Sequence, residues 1–240
     1  MEGVFRAVDR AARASDPDGV VFVEIGANDG RFADPLFPFV SSLGWRGVLV
    51  EPLPDVFALL QDNYKGFPNL RFENAAITEA GGATVREIRR VPLAAVREME
   101  AECVGRPHAG MCGYAIGVAS FKDDEHAHWV LREKGVTEEV KCMSLQELLD
   151  KHSIRTFHVF QVDTEGYDAE IVNQLDLAKH RPMVIQMEAD HLSPSGLLKV
   201  LSRLADAGYA FRTSGGDLLA FLPSIFSPQA ADTHAGRDEL

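Results

Sequence analysis

The stretch from Val21 to Gly30, V-F-V-E-I-G-A-N-D-G, constrains the fold more than any other part of the chain. Its first half is short, apolar and rich in β-branched residues, the pattern of a strand buried on both faces. Its second half is a glycine turn, which lets a ligand come close to the backbone. A buried strand ending in such a turn points to an open α/β sheet, where ligands sit beyond the carboxyl ends of the strands at the point of order reversal.

The rest of the chain repeats the theme. Residues 3–14 place Val4, Phe5, Val8, Ala11 and Ala12 at helical spacing, and a helix of about ten residues is expected after the turn. A second strand covers 46–52 and ends in Glu51, after which Asp55 is expected to cap a helix over 56–64. A third strand is read over 70–77 and a short one over 83–88. Later strands fall at 138–144, 157–166 and 182–190. Helices are read over 144–152, with Ser144 and Glu147 in capping-box spacing, 167–175 and 194–208. Residues 209–223 look like an antiparallel hairpin around Ser214-Gly215-Gly216-Asp217. The expectation is one Rossmann-like, doubly wound α/β domain over residues 1–227. Its seven-stranded sheet is mostly parallel and ends in a C-terminal antiparallel hairpin. Residues 91–130 break the rhythm and are read as an insertion or lid, and 228–240 as a flexible tail.

Composition narrows the function. The net charge of -12 disfavours nucleic acid as a partner. No stretch is apolar enough to span a membrane, and the start lacks a signal-peptide run. Cys103, Cys112 and Cys142 lack metal-type spacing and read as free thiols of a reducing, cytoplasmic compartment. The terminal Arg237-Asp238-Glu239-Leu240 resembles an ER-retention tail, which has no meaning without an entry signal.

The chemistry concentrates at strand ends. Glu51 follows the glycine turn by about 20 residues, the spacing at which a strand-end acid meets the two hydroxyls of a ribose. A dinucleotide turn reads G-x-G-x-x-G. Here Asn28 replaces the second glycine, and Asp29 would stand beside the pyrophosphate. Acids at Glu24 and Asp29 suit the positive sulfonium and ammonium of S-adenosylmethionine better. An NAD-type oxidoreductase is the rival reading, and a non-catalytic binding module on the same fold is a third.

These residues resemble the FkbM-type methyltransferases. The likeness lies in V-E-I-G-A-N-D-G at 23–30, V-E-P-L at 50–53, N-A-A-I at 74–77, S-L-Q-E-L at 144–148, Q-V-D-T-E-G-Y at 161–167 and I-Q-M-E at 185–188. Glu24 and Gln161 stand where the family has aspartate and lysine. The resemblance implies O-methylation of a small-molecule hydroxyl, on a sugar or natural-product intermediate, with S-adenosyl-L-methionine as donor. It assigns cofactor binding to Glu24, Gly26, Ala27, Asn28, Gly30, Glu51, Pro52, Asn74, Ala75 and Asp163. Asp163, Glu165 and His191 are the catalytic candidates, with His191 as a base. Asp163, Glu188 and Asp190 are candidate ligands for Mg²⁺. His126 and His128 are read as polar loop residues that could line the substrate pocket.

Overall fold

A computed structural model of the protein describes residues 1–32, 34–103, 118–121 and 129–227. Helix α1 (Glu2–Ser15) is followed by strand β1 (Val21–Ile25), helix α2 (Phe37–Leu43), strand β2 (Arg46–Val50), helix α3 (Pro54–Asn63) and strand β3 (Leu70–Glu73). A smaller unit comes next: β4 (Ala76–Ile77), β5 (Val85–Arg90), α4 (Leu93–Cys103), β6 (Ala119–Ser120), α5 (Trp129–Lys134) and β7 (Val136–Met143). The chain then returns with α6 (Leu145–Lys151), β8 (Val159–Val162), α7 (Asp168–Gln174), β9 (Val184–Glu188) and α8 (Pro194–Asp206). It closes with β10 (Ala210–Ser214), β11 (Asp217–Phe221) and a 3-10 turn at Pro223–Phe226.

The main sheet has seven strands in the order β10-β11-β9-β8-β1-β2-β3. Strands β3, β2, β1, β8 and β9 pair in parallel, and β11 runs antiparallel to both β9 and β10. This is the expected architecture. The order reverses at β1, whose neighbours are β2 on one side and β8 on the other.

Both faces of the sheet are covered because each central strand sends apolar residues to both sides. Phe22 packs with Phe5, Val8, Trp45 and Leu60 on the α1–α3 side. Val23 and Ile25, pointing the other way, pack with Leu148, Ile171 and Leu204 on the α6–α8 side. Burying a large aliphatic or aromatic side chain contributes roughly 1.5–3 kcal/mol, so this double alternation fixes the register of β1. Trp45 satisfies its indole by donating to Asp9 at 2.8 Å. Ser144 and Glu147 form the full capping box at the start of α6.

Three local expectations are corrected. The helix after the glycine turn begins only at Phe37 and has seven residues, because Asp34 accepts from the Leu36 and Phe37 amides and starts it late. Asp55 does not cap α3; its carboxylate pairs with Arg90 at 2.6 Å. The third strand stops at Glu73, and Ala76–Ile77 joins a separate four-stranded sheet in the order β4-β7-β5-β6. On either side of the span 91–130, β5 and β7 pair over six residue pairs from Val85↔Lys141 to Arg90↔Val136, and within that span β6 pairs with β5. Cys112, His126, His128, the Cys103 side chain and the tail 228–240 lie outside the described residues. Cys142 is a buried free thiol. Among the described residues no helix is long and apolar enough to cross a membrane.

Candidate functional site

A cavity of about 140 Å³ opens beyond the carboxyl ends of β1, β2 and β8. It sits at the switch point, where ligands of open α/β sheets bind. Its described lining includes five carboxylates, Glu24, Asp34, Glu51, Asp163 and Glu165, and no lysine, arginine or histidine. Phe32, Phe121 and Tyr167 add aromatic surface.

The glycine turn forms the floor. Gly26 has φ +80, and a Cβ there would lie 1.7 Å from the Asp163 carbonyl oxygen. Only glycine allows β1 and β8 to come this close at their ends. Asn28 takes the left-handed conformation at φ 51. Gly30, expected at the ligand, does not line the cavity. A Cβ there would meet Tyr64 and Leu60 at 2.2 and 2.6 Å, so its role is packing against α3.

Glu51 holds two turns together. Its Oε2 accepts from the Asn28 amide at 3.1 Å and its Oε1 from the Leu53 amide at 2.9 Å. Each oxygen keeps a second lone pair for a ligand hydroxyl. Burial pushes the Glu51 carboxyl up to about 7, against the pull of those amides. Asn74, expected either as a cofactor contact or as a turn residue, has its partners within this turn. Its side chain donates to the Glu51 and Pro52 carbonyls at 2.9 and 3.0 Å and does not line the cavity, so it braces this turn. Pro52 and Ala75 do line it.

Glu24 is 3% exposed, and its Oε2 has no hydrogen-bond partner. It hydrogen-bonds Asp34, and burial together with that neighbouring acid raises its pKa well above the ordinary value. Burial and the mutual repulsion of the two acids thus favour the protonated form of the pair. Tyr64 donates to Asp34 at 2.6 Å and holds it in place. Asp34 was missed in the sequence because it follows the turn in an irregular segment with no motif of its own. Gln161, also buried, leaves its Oε1 unpaired in the same cavity.

The opposite wall is the turn after β8. Glu165 takes φ 52, a left-handed conformation that a non-glycine residue adopts only when its surroundings impose it. What imposes it is Asp168, fully buried, whose Oδ2 accepts from the Thr164 hydroxyl at 2.9 Å and from the Thr164 and Gly166 amides at 3.3 Å. Burial, aided by Asp168, raises Glu165 to about 7. Asp163, open to the cavity yet walled in by protein, is raised to about 8 by burial, then by Asp168 and Glu165.

His191 does not line the cavity. Its Nε2 lies 3.4 Å from Glu165 and 3.5 Å from Glu188, behind the wall. The expected metal set is likewise corrected. The ligand atoms that converge within 4.8 Å of one another belong to Glu165, Glu188 and His191, not to Asp163, Glu188 and Asp190. The Asp190 carboxylate lies instead against Gly216 of the β10–β11 turn, where a Cβ would stand 2.2 Å from it. Burial, then the acids Glu165, Asp163, Asp168 and Asp190, push Glu188 up to about 9.

The chain matches the family model described as methyltransferase FkbM domain over residues 24–211. Among solved structures it is similar to a precorrin-6y C5,15-methyltransferase from Geobacter metallireducens GS-15, at 13% identity and TM-score 0.42. That match covers 92% of this chain and 86% of the other. It is also similar to the METTL16 MTase domain, at 11% identity and TM-score 0.44, over 91% of this chain and 66% of the other. No curated protein matches.

Proposed function

The chain belongs to the FkbM methyltransferase family, and from that premise we propose that it methylates a hydroxyl of a small molecule, with S-adenosylmethionine as donor. The observation that carries this reading is the acidic lining of the cavity: five carboxyl groups and no described cation, so that burial raises the acids in the empty cavity and a bound cation would draw them into their ionised form. A sulfonium and an ammonium are favoured there, and a pyrophosphate is repelled. This counts against the NAD reading at the same turn.

The donor set fits the cofactor. Glu24 Oε2 and Gln161 Oε1 are buried acceptors without donors, which an ammonium would satisfy. The Gly26 cradle leaves the floor bare, and Glu51 keeps acceptor capacity for ribose hydroxyls. Pro52 and Ala75 are available to the adenine side. When bound, S-adenosylmethionine supplies a methyl group already activated on a cationic sulfur.

The protein then has to orient an acceptor and take its proton. Glu165 is the group suited to the second task. It lines the cavity, and with a pKa near 7 it is partly ionised at neutral pH. His191, 3.4 Å behind it, orients the carboxylate and can receive the proton; its side chain is 27% exposed and so reaches solvent. Asp163 holds the adjoining wall and Glu188 flanks the histidine. Phe121 and Tyr167, packed edge to face at 5.8 Å, offer an apolar platform beside these acids.

Two measurements test the proposal. Mass spectrometry of the purified protein should find a co-purifying S-adenosyl ligand. A donor with an isotopically labelled methyl should label hydroxyl-bearing acceptors in a small-molecule panel, and the label should survive as an ether. Transfer only to nitrogen or carbon acceptors would overturn the hydroxyl assignment.

A further inference from the structure

At the opposite end of the same sheet a second cavity has a basic lining. This cavity, of about 290 Å³, lies where β1, β2 and β3 begin and where the α6–β8 loop crosses beneath them. Its lining holds Arg46, Arg71 and Arg155 together with Asn69, Ser153 and Thr156, and no carboxylate. In a chain of net charge -12 this is a concentration of guanidinium groups that general composition does not supply.

The neighbouring acids are held in ion pairs, Asp16 and Asp18 with Arg46 of the lining itself, so the free cationic character of the cavity comes from Arg71 and Arg155. Asp16 and Asp18 hold two nitrogens of Arg46 at 2.9 and 3.0 Å, which fixes that side chain at the rim and leaves its buried Nε without a partner. Glu73 is taken by Lys151 and His152 at 2.8 and 3.0 Å. His158, the other titratable group here, accepts from the Val21 amide at 3.0 Å, and burial lowers its pKa, so it adds no fixed charge. Arg71 donates to the His152 carbonyl, a neutral acceptor, and keeps its full charge. Neither Arg71 nor Arg155 has a carboxylate partner among the described residues. Ser153, held left-handed at φ 54, forms the corner of the loop that carries Arg155.

We propose that this cavity binds a phosphate group, as free phosphate or as a phosphomonoester. Guanidinium forks match phosphate oxygens in pairs, and the amide of Asn69 and hydroxyls of Ser153 and Thr156 supply the additional donors such a ligand needs. The site is distinct from the methyl-transfer cavity: β1 spans the two, a separation of roughly 15 Å by strand rise.

The test uses the full chain, titrated with inorganic phosphate in one arm and glycerol phosphate in another, followed by amide chemical shifts. Saturable shifts at residues 46, 69–71 and 152–156 in either arm support the site, and the stronger arm identifies the form bound. The Arg71→Ala, Arg155→Ala double variant should weaken that binding at least tenfold. Both side chains are exposed, so affinity for S-adenosylhomocysteine should be unchanged and serves as the folding control. The Arg71→Lys, Arg155→Lys variant keeps the charge and should lie between the two. Non-saturable shifts in both arms, or equal affinity in wild type and the alanine variant, would overturn the proposal.

Discussion

Glu165 Oε2 stands 3.4 Å from His191 Nε2, and of the two only Glu165 faces the cavity. The histidine that the sequence suggests as a base is thus one step behind the carboxylate that meets the acceptor. This ordering makes their substitutions unequal. Glu165→Gln should lower kcat by about a hundredfold or more, the usual contribution of a positioned base, without weakening S-adenosylhomocysteine. His191→Ala should cost less and chiefly alter the pH profile. Steady-state rates with an identified acceptor check both; a larger loss for His191→Ala than for Glu165→Gln would reverse the roles.

The pH dependence of rate follows from the same carboxyl. Burial and Asp168 raise Glu165 from the ordinary 4.5 to about 7, and the base form is the ionised one. The kcat/KM should therefore rise with pH through an apparent midpoint near 7 and then level. The midpoint belongs to the coupled cluster of Asp163, Glu165 and Glu188 rather than to one group. A profile flat from pH 5 to 9 would count against a carboxylate base.

Stability should run the other way. Glu188 ionises near 4.5 when unfolded and at about 9 when folded, so the folded state holds its proton over that interval. A state that binds more protons is favoured at lower pH. The contribution is fully present below about pH 4.5 and is lost as pH rises through about 9. Glu188→Gln should thus raise the Tm at pH 8 and have little effect at pH 5. Thermal melts at the two values decide it; equal shifts at both would show that burial and the neighbouring acids do not hold the Glu188 proton in the folded state.

Gly26 offers a test of the floor. Gly26→Ala would force a side chain into left-handed backbone, roughly 1–2 kcal/mol in itself, and set a methyl against the Asp163 carbonyl. The variant should melt lower and lose S-adenosylhomocysteine binding. Gly44→Ala has the same backbone penalty but no atom within 4 Å, so it should retain ligand affinity.

The proton route from Glu165 to His191 needs no metal ion, and His191 occupies the place between Glu165 and Glu188. Exhaustive EDTA treatment should therefore leave methyl transfer unchanged. Loss of activity with rescue by Mg²⁺ would instead assign the Glu165–Glu188–His191 cluster to a bound ion.

Much of this was legible in the chain because the signals are local. The apolar run ending in Gly26, the acid at Glu51 and the capping box at Ser144 each depend on residues close in sequence. What was not legible depends on long-range pairing. Asn74 reads as a ligand contact until Glu51 and Pro52 are seen to present carbonyls to it. Asp190 and Asp163 end adjacent strands, yet the bare turn at Gly216 draws Asp190 aside. The small sheet could not be foreseen, because β5 and β7 are separated by a segment without strand periodicity.

Calorimetric titration of S-adenosylhomocysteine and of NAD into the same protein tests the central claim most directly. The account predicts saturable binding of S-adenosylhomocysteine, weakened about tenfold or more by Glu51→Gln, and no measurable heat with NAD. Saturable NAD binding, or the absence of S-adenosylhomocysteine binding by a folded protein, would contradict it.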